Sequence, residues 1–285
     1  MAGCQLRIRE SLDSLTKKQR QVAEFILDYS QQVVEMSIEE LARSSGTSTS
    51  AVVRLCKMLG YNGYKDFCRA LTAEVADFGK ETIIYEDIRP GDSLGDIARN
   101  VAMSNMKAIE NSLKMLDMDQ LELAVSAIGA AKRVDFYGVG NSGLVALDAH
   151  NKFLRINKYV CASADPHVQI LSATTLTEHD VAVFISYTGE TSDTLAVLEV
   201  AKRTKATTIA ITRYGKNPLS EACDINLSTS STETLIRSGA MSSRISQHTI
   251  IDILYTAVTS RYYESAKGYL DKTRFAAGKM RSHNK

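Results

Sequence analysis

The chain holds 285 residues with a formal net charge of +1, 44% hydrophobic and 24% charged. Those totals fit a folded globular protein and exclude intrinsic disorder. A balance so near neutral also excludes nucleic-acid binding through overall charge, so such a function needs a local patch.

Residues 11–77 read as several short helices. Val22, Phe25, Ile26 and Tyr29 mark one face of a helix behind Thr16, a suitable N-cap. Ser37 with Glu40 three residues later is a capping box, and Gly46 is a natural stop for that helix. A second short helix follows from Ser48 to about Gly60. Two short helices about a glycine turn make a helix-turn-helix, with Ala42 at the crossing and Leu41, Val52 and Leu55 in a shared core. Its second helix offers Ser48, Thr49, Ser50, Arg54 and Lys57 to a duplex. Over residues 43–69 the positive residues Arg43, Arg54, Lys57, Lys65 and Arg69 meet only Asp66. Over residues 1–77 ten basic residues meet ten acidic ones, so the positive charge is concentrated on this element. Tyr64 and Lys65, in a turn beside it, suit backbone phosphates, while Phe67 suits the core. An ordinary helical hairpin with a solvated basic face is the alternative.

Residues 78–95 carry Gly79, Pro90, Gly91 and Gly95 without a sustained period and read as a linker between a domain at 1–77 and another at 96–285. Asp92 or Ser93 can cap a helix running to about Met115, and a further helix at 119–130 carries Leu121, Leu123, Ala124 and Ile128. The pattern then changes to strands near 133–137, 159–162, 181–185, 207–212 and 224–228, alternating with helices. That order predicts an α/β doubly wound, mainly parallel five-stranded sheet behind the all-α helix-turn-helix bundle. In the first helix of this part, Leu144, Leu147, Phe153 and Leu154 are expected inward; the next helix is expected near 168–176. Ile245, Ile250, Ile251, Ile253, Leu254 and Val258 make a wide stripe on a late helix, part of which reads as a subunit interface. The basic tail beyond Lys267 reads as a solvated helix end.

Ligands bind at the carboxyl ends of such strands. Two turns fall there. Ser186, Thr188 and Thr191, with Tyr187 and Gly189 between them, form a hydroxyl-rich turn at a helix start, where free N–H groups favour an anion. Gly138, Gly140 and Gly143, around Asn141 and Ser142, satisfy the GxGxxG pattern of dinucleotide sites. Asp165 is badly placed as its ribose ligand, 27 residues past Gly138 and followed by Pro166. Two hydroxyl turns on neighbouring strands converge more naturally on one small phosphate.

Gly140-Asn141-Ser142 together with residues 186–191 resembles the sugar isomerase (SIS) domain of phosphosugar-binding proteins. With residues 48–60 and 63–67 ahead of it, the chain resembles the RpiR-type (MurR/RpiR) family of bacterial transcriptional regulators. The resemblance spans about residues 5–275 and implies a cytoplasmic homodimer or homotetramer whose operator binding responds to a sugar phosphate. It implies Ser142, Ser186, Thr188 and Thr191 as phosphate ligands. Residues 165–169 and 238–244 also resemble stretches of members that sense N-acetylmuramic acid 6-phosphate. His167, Glu233 and Arg244 are then sugar contacts, and the regulated genes are those of sugar catabolism.

An isomerase on the same fold would need a general base near the sugar. Glu190, Glu233, His150, His167 and His248 are the candidates. A sensor needs binding alone, so the expectation is a repressor without catalysis, cofactor or metal; a phosphosugar isomerase and an NAD-binding redox-sensing regulator stay open. Arg7, Arg9 and Glu10 interrupt the start of the chain, so neither a signal peptide nor a membrane span is expected. The five scattered cysteines form no CxxC pair and read as thiols in a reducing compartment.

Overall fold

A computed structural model describes residues 3–77, 91–230 and 240–282. Contacts divide the chain near Gly91 into two compact units.

The first unit is helical: α1 (Cys4–Ser11), α2 (Lys17–Asp28), α3 (Ser30–Val33), α4 (Ile38–Ser44), α5 (Thr49–Met58) and α6 (Tyr64–Asp77). The capping box forms. Ser37 N donates to Glu40 Oε2 at 2.7 Å and Glu40 N to Ser37 Oγ at 3.2 Å. These bonds hold the Glu40 carboxyl below its ordinary range. Gly46 turns the chain at φ +64, and Thr47 N closes on Ala42 O at 2.8 Å. Leu41, Ala42, Val52 and Leu55 are buried together with Phe67 and Leu71. The small Ala42 lets α4 and α5 approach, as expected at the crossing.

The second unit begins with α7 (Leu94–Met115) and α8 (Met118–Ala130). Then come β1 (Arg133–Tyr137), α9 (Asn141–Leu154), β2 (Tyr159–Ala162), α10 (Pro166–Thr174), β3 (Val181–Ile185), α11 (Ser192–Arg203), β4 (Thr207–Arg213), α12 (Pro218–Ala222) and β5 (Ile225–Thr229). Finally come α13 (Met241–Arg261) and α14 (Tyr263–Ser282). The strand order is β2-β1-β3-β4-β5 and every pairing is parallel. Alternation along β3 feeds two cores. Val181, Val183 and Ile185 join the layer of α8, α9 and α13; Ala182 and Phe184 join that of α10, α11 and α12. Because α9 and α11 leave neighbouring strands for opposite faces, a crevice opens between the ends of β1 and β3.

Several expectations shift. Leu144 and Leu154 are each 54% exposed; α9 faces its layer with Val145, Ala146, Ala149 and Phe153, whose smaller members allow close packing on the sheet. Leu123 is likewise exposed, with Val125 inward in its place. Asp165 caps α10 by accepting from His167 N at 2.8 Å, so that helix starts two residues early. Asp224 stands outside β5, its carboxylate accepting from Thr208 N at 2.8 Å. The wide stripe of α13 is buried within the chain: Ile250, Ile251, Leu254 and Val258 pack among α7, α8, α9 and the sheet. Its breadth therefore gives no reason for a subunit interface there. A run of exposed apolar residues lies along α7, at Leu94, Ile97, Val101, Met103 and Met106.

All five cysteines are free. Burial pushes the Cys4 thiol up to about 11 and the Cys56 and Cys223 thiols up to about 12.

Candidate ligand cavity and nucleic-acid face

The crevice between β1 and β3 holds a cavity of about 170 Å³. Three helices begin at its wall. Asn141 and Ser142 open α9, Thr191 and Thr194 stand in the first turn of α11, and Ala240, Ser243 and Arg244 in that of α13. Capping separates these helices from their neighbours. The N-caps of α7, α8, α10 and α12 are Ser93, Asp117, Asp165 and Asn217, and each accepts a bond from its own helix. The N-caps of α9, α11 and α13 are Gly140, Thr191 and Ala240, and none does. Three positive dipole ends without a side-chain cap thus point at one space, an arrangement suited to an anion.

The hydroxyls are arranged to match. Ser186, 3% exposed, accepts from Gly189 N at 3.2 Å and shares a bond with Thr191 Oγ1 at 3.1 Å. Thr188 Oγ1 accepts from Glu190 N at 3.3 Å. A hydroxyl whose lone pair is occupied by a backbone N–H keeps its proton for another acceptor. Arg244 adds a cation, and among the described residues it makes no salt bridge. The cavity therefore presents donors and positive charge.

The GxGxxG pattern has a backbone explanation. Gly140 adopts φ +59. A Cβ on Gly138 would lie 2.8 Å from the carbonyl carbon of Ser142. The glycines close a tight strand-to-helix turn, while the acid once considered for a ribose is the cap of α10.

Of the residues expected from sequence, Asn141, Ser142, Ser186, Tyr187, Thr188, Thr191 and Arg244 line the cavity, and Gly140 and Gly189 shape its turns. His167 does not line it: it is exposed on α10, held there by the cap geometry of Asp165. Glu233 lies outside the described residues. Glu190 faces solvent, 3.8 Å from Arg213. His248 pairs with Asp148 at 3.2 Å, and His150 lies beside Asn151. Among the described residues no carboxylate or imidazole lines the cavity, and no His, Cys, Asp and Glu group could hold a metal. Thr194 and Gln247 escaped the sequence reading. Each follows a recognised residue by three positions, Thr191 and Arg244 respectively, which places it on the same helix face. The Thr194 hydroxyl is buried, with no hydrogen-bond partner among the described residues.

In the helical unit, Ser48 caps α5, accepting from Ala51 N at 3.3 Å and pairing with Ser50 at 2.9 Å. Thr49, Ser50, Arg54 and Lys57 are exposed along α5, and Lys65 is exposed on α6. Tyr64 departs from expectation. Its hydroxyl donates to Met36 O at 2.9 Å, and burial pushes its phenol pKa up, so its proton is engaged inside the unit.

A family model for a helix-turn-helix domain of the rpiR family matches residues 2–77, and one for the SIS domain matches residues 127–257. An uncharacterized HTH-type transcriptional regulator of Caldanaerobacter subterraneus is 38% identical over 267 residues, covering 93% of this chain and 94% of that one. The chain belongs to the RpiR family of transcriptional regulators. Another such relative, YbbH of Bacillus subtilis, is 36% identical over 284 residues and 99% of both chains. Among solved structures, the Vibrio vulnificus NanR protein complexed with ManNAc-6P matches with a TM-score of 0.62 and 25% identity, covering 98% of this chain and 99% of NanR. This family member therefore joins a DNA-binding helix-turn-helix to an SIS domain. No helix among its described residues is long and apolar enough to cross a membrane.

Proposed function

We propose that the protein is a cytoplasmic repressor of sugar-catabolism genes, and that a phosphorylated sugar in the SIS cavity sets its operator affinity. The observation that carries this reading is the convergence of three uncapped helix N-termini on one hydroxyl-lined space, in a chain that also carries a helix-turn-helix. Ser142, Ser186, Thr188 and Thr191 are the phosphate donors in this reading, with Arg244 adding charge. A cavity of about 170 Å³ has room for a phosphate. Glu233 and His167 remain the sugar contacts that the family resemblance implies. The NanR complex favours an N-acetylated hexosamine phosphate; ManNAc-6P and N-acetylmuramic acid 6-phosphate are the two candidates.

Thr49, Ser50 and Arg54 read the operator, with Ser48, Lys57 and Lys65 on its phosphates. A homodimer or homotetramer presents two such heads to a two-fold site, and the exposed apolar stripe of α7 supports association. The sugar phosphate shifts operator affinity only as far as it binds two arrangements unequally, typically ~1–3 kcal/mol. Binding without turnover is the expected mode, because the described cavity wall supplies no general base.

The Ser186→Ala, Thr191→Ala double variant should keep its operator gel shift and lose the response to sugar phosphates. A double variant that still responds defeats the phosphate assignment. Conversion of hexose 6-phosphates by the pure protein, followed by NMR over many turnovers, would favour the isomerase instead.

A further inference from the structure

Gln247 lies one turn beyond Arg244 on α13 and is 2% exposed. It lines the cavity, and among the described residues its amide meets one group, the hydroxyl of Ser142 at the start of α9. The Ser142 oxygen sits 3.2 Å from Nε2 and 3.3 Å from Oε1. A hydroxyl carries one proton. It also offers two lone pairs, so Ser142 can accept from Nε2 and donate to Oε1 together, and this one hydroxyl meets both ends of the amide. A buried amide end that loses this partner is costly, which makes it a place for a ligand atom.

What fills the cavity decides whether both bonds are kept. An anion at the start of α9 takes the Ser142 proton. Ser142 then keeps the bond it accepts from Nε2, while Oε1 loses its donor. Oε1 is left pointing into the cavity as an acceptor. We propose that Gln247 reads the carbon end of the effector: phosphate orients Ser142, Ser142 orients the amide, and Oε1 accepts from a hydroxyl or acetamido N–H beside the phosphate-bearing arm. The proposal rests on the phosphate reading above and narrows it. The effector must carry a hydrogen-bond donor near its phosphate. Bare phosphate, or a phosphorylated enol acid without such a donor, leaves Oε1 unpaired.

The test uses the full chain and isothermal titration. The probes are inorganic phosphate, phosphoenolpyruvate, ManNAc-6P, glucose 6-phosphate and fructose 6-phosphate. Gln247→Met should weaken the tightest sugar phosphate about tenfold while changing inorganic phosphate by less than about threefold. Equal affinity for the sugar phosphate in this variant overturns the proposal. So does an equal loss for both probes, which would mean that the amide merely holds Ser142. The wild-type chain supplies an independent arm that does not depend on the variant folding: phosphoenolpyruvate binding as tightly as the best sugar phosphate also overturns it. The Ser186→Ala, Thr191→Ala variant separates the two levels. If it binds every probe like wild type, or if wild type binds none, the phosphate site itself is wrong.

Discussion

In the helical unit α4 and α5 begin on Ser37 and Ser48, whose side chains accept bonds from their own helices. In the α/β unit α9, α11 and α13 begin on Gly140, Thr191 and Ala240, whose own side chains make no cap bond. The two helices of the helix-turn-helix are closed by their own N-cap side chains and turn cations outward; the three helices that start at the cavity have no such cap. The difference is physical as well as descriptive. A capped end contributes to stability by itself, whereas an end without a cap takes its partner from water or a ligand.

Substitutions should pull these two uses of polar groups apart. The largest effect is expected at a closed group. Asp135 on β1 is fully buried, bonded to Arg133 Nε and Nη2 at 2.7 Å each and to Tyr137 OH at 2.9 Å. Asp135→Asn should cost about 3 kcal/mol in urea unfolding, because it leaves a largely buried guanidinium underpaired. Phosphate affinity of the folded protein should be unchanged. Arg54→Ala should do the reverse, weakening operator binding by about 1–3 kcal/mol while unfolding shifts by less than about 0.5 kcal/mol. An unchanged gel shift would move the DNA contact off α5. The smallest effect belongs to Thr194→Val. Its hydroxyl is buried with no partner among the described residues, so losing it should leave the melting temperature equal or slightly higher. A clear drop in melting temperature would show that the hydroxyl is already bonded in the unliganded protein, and the contrast between open and closed groups would weaken at that point.

Much of this was legible along the chain because the signals are local. A serine and a glutamate three apart cap a helix wherever it packs, and a positive-φ glycine ends it, so α4 and its turn followed from Ser37, Glu40 and Gly46. The apolar run of β3 announced a strand covered on both faces. The short α12 was missed because its five residues, from Pro218 to Ala222, are too few to show a period. Leu144 and Leu154 misled because side-chain size suggested the inward face, while the smaller Val145, Ala146 and Ala149 let α9 approach the sheet. Tyr64 was read from its surroundings in sequence, yet its hydroxyl bonds Met36, 28 residues away.

The sequence by itself determined the two kinds of unit, their order, and the two hydroxyl turns at strand ends. Each rests on spacing over fewer than about ten residues, and short-range geometry is written in such spacing. Only the tertiary structure decided that the start of α13 closes the cavity. It carries Arg244 and Gln247 to Ser142, 105 residues away from Gln247 in the chain. It also decided that Ile250, Ile251, Leu254 and Val258 of the broad apolar stripe of α13 are buried within their own unit. Periodicity tells which residues share a face; what that face meets depends on how distant elements pack.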